Sequence, residues 1–132
     1  MVGIVIVSHS AKIAEGTRDM AREMAREHEG ILAAGGMADG SIGTDATRIA
    51  DAIQDADAGD GVVLLVDIGS GIMSAEAAIE LLATEEDAPS ARIADAPLVE
   101  GAVCAAVEAV GGGDLASVIA AAEEARGARK LR

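Results

Sequence analysis

His9 stands two residues beyond the unbroken apolar run Gly3 to Val7, and Asp67 stands one residue beyond another, Gly61 to Val66. A neutral imidazole attacks through one ring nitrogen only when the other holds the proton. A carboxylate that accepts this N–H fixes the tautomer and stabilises the cation that forms. Asp67 is expected to be that carboxylate for His9, the alternative being a turn or helix-capping aspartate. The nearby backbone selects the electrophile. Gly69, Ser70 and Gly71 precede one expected helix, and Gly43 and Thr44 precede another. Backbone N–H groups and positive dipole ends would therefore converge beside His9 and Ser10 and cradle phosphoryl oxygens. Ser10, Gly43, Thr44, Gly69, Ser70 and Gly71 are the candidate phosphate ligands. No Gly-Lys-Ser or Gly-Lys-Thr occurs, and Gly69-Ser70-Gly71 lacks the third glycine of a dinucleotide fingerprint, so no nucleotide site of the chain's own is expected. His9, His28 and Cys104 are too far apart in the sequence to suggest a metal cluster, and no metal is expected.

These residues need a frame that brings positions 9 and 67 together. Gly3 to Val7 and Gly61 to Val66 are β-branched runs of the kind covered on both faces in a parallel sheet. Ile31 to Ala34 and Arg92 to Ala94 read as shorter strands. Between them, Ile13, Thr17, Met20, Met24 and His28 recur at helical spacing, which predicts a helix over Lys12 to Glu29 ended by Gly30, with His28 part-buried on it. A second helix starts at Thr44 as N-cap and buries Ala46, Ile49, Ala50, Ile53 and Ala56. A third runs through Ala75, Ala78, Ile79 and Leu82. A fourth presents Val99, Val103, Val107 and Val110 as its apolar face. A fifth, capped by Asp114, turns Leu115, Val118, Ile119 and Ala122 inward, and the Arg126 to Arg132 tail is expected to fray. Alternation of this kind predicts an α/β fold, a three-layer, open, mostly parallel sheet of order 2-1-3-4, as one domain over residues 1–132. In that order the first and third strands flank the switch point, so His9 meets Asp67.

Composition removes whole classes of function. The 23 carboxylates against 10 basic residues give a formal charge of -13, and there is no Phe, Trp or Tyr. Such a surface repels nucleic acids and anionic lipid, and it cannot stack on bases. The apolar runs are too short to cross a bilayer, and the start lacks a signal peptide's basic flank, so a cytoplasmic location is expected. A single cysteine excludes an intrachain disulfide, and Cys104 is read as a small buried hydrophobe. Only Lys12 and Lys130 are lysines, and high acidity with scarce lysine suggests a salt-rich, halophilic cytosol.

Five segments, in order and spacing, carry a resemblance: Val5-Ile6-Val7-Ser8-His9-Ser10, Ile42-Gly43-Thr44-Asp45, Asp67-Ile68-Gly69-Ser70, Ser74-Ala75-Glu76 and Ala96-Pro97-Leu98-Val99-Glu100-Gly101. Over nearly its whole length the chain resembles the DhaM family, the phosphotransferase subunit of phosphoenolpyruvate-dependent dihydroxyacetone kinase, which shares its fold with mannose-type IIA domains. The latter usually present Thr-His-Gly where this chain has Ser8-His9-Ser10. The resemblance implies that His9 takes a phosphoryl group from phospho-HPr and passes it to ADP on a DhaL-type kinase subunit. Dihydroxyacetone is then phosphorylated on a third subunit. It further implies a homodimer with no cofactor of its own, ADP and magnesium belonging to the partner. Some relatives continue into fused HPr-like and Enzyme I-like domains, whereas this sequence ends at Arg132, so separate donors are expected. Gly71, Met73 and the Gly35 to Gly43 loop depart from the pattern of some relatives.

The rival readings are a mannose-type sugar-transport component, a receiver-like signalling module phosphorylated on Asp67, a flavin carrier and a noncatalytic dimerisation module. A receiver needs acidic residues after its first strand and a late lysine in the sheet. Here Ser8-His9 follows that strand, and the lysines lie near the chain's ends. A flavin carrier would lack an aromatic stacking partner.

Overall fold

The structure is a computed structural model and describes residues 1–131. In chain order the elements are β1 (Gly3–Ser8), α1 (Ala11–Met24), β2 (Ile31–Gly35), α2 (Ala46–Ala56), β3 (Val62–Val66), α3 (Gly69–Ala83), β4 (Ala91–Ile93), α4 (Leu98–Val110) and α5 (Leu115–Glu124), followed by a 3-10 turn at Ala125–Gly127. The strands form one sheet in the order β2-β1-β3-β4. Every pairing is parallel, as expected where each crossover carries a helix. Period-two alternation divides the strand residues between two cores. Ile4, Ile6, Val63 and Leu65 pack with α1, α4 and α5, while Val5, Val7, Val62, Leu64 and Val66 pack with α2 and α3. All six residues of β1 and all five of β3 are buried, which accounts for their unbroken apolar character.

Two helices turn differently from expectation. α1 buries Ala14, Thr17 and Ala21, while Ile13, Met20 and Met24 face solvent. α4 buries Gly101, Ala102, Ala105, Ala106 and Ala109, and Val107 is exposed. The two helices cover the same sheet face, and small residues at their inner surfaces allow the backbones to approach it and each other closely. The larger residues are displaced outward. Gly101 illustrates the tolerance, since a Cβ there would lie 3.0 Å from the Ala96 side chain and 3.1 Å from that of Leu65.

α1 also ends earlier than its periodicity suggests. Ala25, not Gly30, closes it, and its N–H reaches back to the Arg22 carbonyl. His28 therefore lies beyond the helix, buried but for about 5% of its surface, in the turn that enters β2. Its Nε2 is 2.7 Å from the Val2 carbonyl, and its Nδ1 accepts the Gly30 N–H at 3.1 Å. Burial pulls its pKa down most, assisted by the N-terminal ammonium and Arg22, while the bond to Val2 opposes this. Cys104 is part-exposed rather than buried. In the tail, where fraying was expected, Ala125–Gly127 form the 3-10 turn, and two exposed ion pairs reach back to the body: Arg126 meets Asp95 at 2.6 Å and Lys130 meets Glu100 at 3.1 Å. Arg132 lies outside the described residues.

Candidate functional site

The register of the sheet builds the site. Val7 of β1 pairs with Val66 of β3, so the residues that leave the two strands, Ser8-His9 and Asp67, emerge side by side at the switch point. The Asp67 N–H bonds the Val7 carbonyl at 3.1 Å and fixes this juxtaposition. Asp67 then receives four donors. Its Oδ2 accepts the Ser8 hydroxyl and the His9 N–H, both at 2.9 Å, and its Oδ1 accepts His9 Nδ1 at 2.9 Å and the Ile68 N–H at 2.7 Å. Partial burial opposes ionisation of this carboxyl. The amides of His9 and Ile68, the imidazole and the Ser8 hydroxyl outweigh it, and the carboxyl stays below its usual range.

An ionised Asp67 makes Nδ1 the protonated nitrogen of a neutral His9, so Nε2 carries the lone pair. The Ser70 hydroxyl sits 2.6 Å from Nε2 and, with that tautomer, is the donor. The imidazole is thus held by its inner nitrogen and covered at its outer one by a hydroxyl that rotates freely. Its side chain is 19% exposed.

The structure distributes the phosphate-ligand candidates over different tasks. Ser10 is the N-cap of α1: its hydroxyl accepts the Ile13 N–H at 3.3 Å, and its own N–H is bound by Ser8 Oγ at 3.0 Å. Gly43, at φ +149°, donates its N–H to the His9 carbonyl at 2.9 Å and so ties the loop before α2 to the histidine backbone. Thr44 shares a hydrogen bond of 2.6 Å with Ser74 of α3. The N-cap of α2 is not Thr44 but Asp45, which accepts from Thr47 and Arg48. The Gly71 N–H goes to the Ile68 carbonyl. A Cβ at Gly71 would meet Val66 at 2.7 Å, Asp67 Oδ1 at 3.3 Å and His9 Cε1 at 3.4 Å, so this glycine leaves room for the pair.

Gly69 and Ser70 open α3 instead of preceding it. Among the described residues no intramolecular acceptor takes their amides, and Ile68, the N-cap, offers no side-chain bond. They form an uncapped helix N-terminus beside Nε2, a setting that favours an anion.

Ser8 and Ser74 have roles the sequence reading did not assign. The signal for Ser8 was available, because a hydroxyl at the end of a fully buried strand requires partners. Among the described residues, no group of three or more His, Cys, Asp or Glu side chains is arranged to hold a metal ion, and no helix is long and apolar enough to cross a membrane. A cavity of about 560 Å³ lies at the opposite end of the sheet among Asp57, Asp60, Asp87 and Asp114, away from this histidine.

The fold, the switch-point histidine and its carboxylate define a phosphotransferase-system IIA type of protein. Residues 3–119 match the EIIA-man family, described as PTS system fructose IIA component, and the chain belongs to that family. Within it the chain stands with the DhaM proteins. It is 47% identical over 110 residues to the phosphoryl donor subunit DhaM of PEP-dependent dihydroxyacetone kinase 2 from Listeria innocua, covering 83% of this chain and 87% of the relative. It is 43% identical to the corresponding subunit from Escherichia coli strain K12 over 122 residues, 90% of this chain but 26% of that protein. The chain therefore spans nearly all of the first relative and about a quarter of the second. A crystal structure of a protein of unknown function, EF1359, superposes with a TM-score of 0.82 at 37% identity, each chain fully covered.

Proposed function

We propose that this chain is the phosphoryl-carrying subunit of a dihydroxyacetone kinase, with His9 Nε2 as the atom that carries the phosphoryl group. The observation that supports this reading is the polarity of the imidazole: Nδ1 faces the Asp67 carboxylate at 2.9 Å, while Nε2 faces out under a single hydroxyl. The names of the DhaM relatives, phosphoryl donor subunits of PEP-dependent dihydroxyacetone kinases, supply the substrate class.

The geometry supports the following chemistry for that reading. Nε2 directs its lone pair at the phosphorus of a phosphohistidine on HPr; the new P–Nε2 bond forms as the donor's P–N bond breaks, and the electron pair leaves with the donor ring. The Nδ1 proton stays in place. The His9 ring becomes cationic, and the Asp67 carboxylate offsets that charge. Ser70 turns its hydroxyl from Nε2 to a phosphoryl oxygen, and the amides of Gly69 and Ser70 complete the cradle. In the second half, a terminal oxygen of ADP on a DhaL-type kinase subunit attacks the same phosphorus. The P–Nε2 bond breaks, ATP forms on the partner, and neutral His9 returns. ADP and its magnesium reside on that partner, and this chain's residues require no cofactor of their own for either half. The reading includes a cytoplasmic homodimer.

The test is reconstitution. Phosphorylated HPr should place label on His9, and the ADP-loaded kinase subunit should remove it. Retention of label through both additions, or phosphorylation of dihydroxyacetone by the complete system with His9→Ala, would overturn the assignment.

A further inference from the structure

Ser8 is the last residue of β1, and period-two alternation sets its side chain on the sheet face of Ile4 and Ile6. The same alternation carries the side chain of Asp67, one residue past β3, onto the face of Val63 and Leu65. A hydroxyl and a carboxylate thus end two neighbouring apolar columns on one side of the sheet. Ser8 is 0% exposed, so its hydroxyl has to find its partners inside the protein. The surroundings leave that hydroxyl one orientation. Its oxygen accepts the Ser10 N–H at 3.0 Å, which directs its proton to Asp67 Oδ2 at 2.9 Å. The backbone beneath it is fixed as well, because the Ser8 carbonyl takes the Gly36 N–H at 3.1 Å where β1 and β2 end together. Ser10 in turn is the N-cap of α1. One hydroxyl therefore joins the end of β1, the start of α1 and the carboxylate that leaves β3.

The carboxylate has a freedom that this contact removes. Rotation about the last torsion of an aspartate is soft. Oδ2 is held by the Ser8 hydroxyl and the His9 N–H, and Oδ1 is thereby left to face His9 Nδ1 and the Ile68 N–H. A carboxylate so turned selects the tautomer. With the proton on Nε2 instead, Nδ1 would oppose its lone pair to that of Oδ1, an arrangement with no hydrogen bond in it. Donation from Ser8 also favours the ionised carboxyl over the neutral one.

We propose that Ser8 is a positioning residue for phosphoryl exchange: its hydroxyl, aimed by the Ser10 amide at the start of α1, locks Asp67 in the orientation that keeps the His9 proton on Nδ1 and the lone pair on Nε2. The consequence for transfer rests on the phosphoryl-carrier reading; the lock itself rests on hydrogen bonds within the chain. Ser8 acts through Asp67 and not on the phosphoryl group. Its loss would leave the carboxylate in place but less firmly turned, with a fraction of the imidazole holding its proton on the nitrogen that has to attack.

Two measurements separate the lock from its consequence. The imidazole nitrogen NMR shifts of His9, read at alkaline pH on the free chain, report the tautomer with no phosphoryl donor present. The unsubstituted chain should show a single tautomer protonated on Nδ1, and Ser8→Ala a mixture. Ser8→Thr, which returns a hydroxyl to the same carbon, should restore the single tautomer. Stopped-flow phosphorylation by phosphorylated HPr should follow the same order, with kcat of Ser8→Ala down about tenfold, its KM within about twofold, and kcat recovered in Ser8→Thr. A hydroxyl that serves stability alone would lower the urea midpoint of Ser8→Ala and leave its tautomer single, and that result would overturn the proposal. Equal mixtures in Ser8→Ala and Ser8→Thr would overturn it too, by assigning the effect to packing. If Ser8→Ala does not fold, Ser8→Cys, similar in shape but only a weak donor, is held to the same criteria. A tautomer that responds as expected in a chain whose His9 takes no label from phosphorylated HPr would uphold the lock and remove the phosphoryl-carrier reading instead.

Discussion

Asp67 accepts four hydrogen bonds, which couples the imidazole tautomer to the backbone that carries the imidazole. Asp67→Asn separates these roles. The amide oxygen can still take Nδ1, but the NH2 then confronts two donors, the Ser8 hydroxyl and the His9 N–H. Phosphoryl transfer should fall by about 10²-fold or more, and stability by about 1–3 kcal/mol for the donors left without an acceptor. Stopped-flow transfer and urea unfolding check the two parts, and unchanged transfer would remove Asp67 from the mechanism. His28 provides a pH signature independent of catalysis. Its folded pKa lies below its ordinary value, so the unfolded chain binds the proton more readily. Its contribution to stability is complete above the ordinary histidine pKa of about 6.5 and is lost as pH falls from there through the depressed folded value. Melting temperature should therefore drop between neutral pH and about pH 5, and His28→Gln, which keeps a donor for Val2, should flatten that part of the curve. A slope identical in the variant would assign the acid sensitivity to other groups.

At the scale of elements, β1, β3 and their alternation with helices were legible, because buried parallel strands write themselves as β-branched runs. From those strand ends the meeting of His9 and Asp67 followed. The faces of α1 and α4 were not legible. Periodicity gives weight to Met20, Met24 and the valines of α4, whereas close packing on a shared sheet face selects Ala14, Ala21, Ala102 and Ala106. The separate tasks of Ser10, Gly43 and Gly71 also escaped the sequence, since each depends on hydrogen bonds between segments that only the fold brings together. Gly35 shows how tightly α1 is held. A Cβ there would stand 2.7 Å from the Ala14 side chain and 2.8 Å from the Ser10 carbonyl. Backbone on one side cannot rotate away, so Gly35→Ala should cost about 1–3 kcal/mol. It should also slow labelling of His9 by displacing Ser10. A variant as stable and as reactive as the parent would contradict the close approach.

The whole molecule carries a formal charge of -13 on a small fold, with its reactive nitrogen at one end of the sheet and a carboxylate-lined cavity at the other. Self-repulsion of this size weakens the compact state, and salt screens it. The melting temperature should rise steadily from dilute buffer to molar salt, and equal stability at both extremes would count against the salt-adapted reading of the composition. The central claim concerns one atom, Nε2 of His9. Mass spectrometry of the chain after exposure to phosphorylated HPr, kept alkaline throughout to preserve phosphoramidate bonds, tests it most directly. The account predicts one phosphoryl group, on the peptide containing His9, absent from His9→Ala and discharged by the ADP-loaded kinase subunit. Label found on Asp67 or on a serine, or no label with the donor competent toward another acceptor, would contradict it.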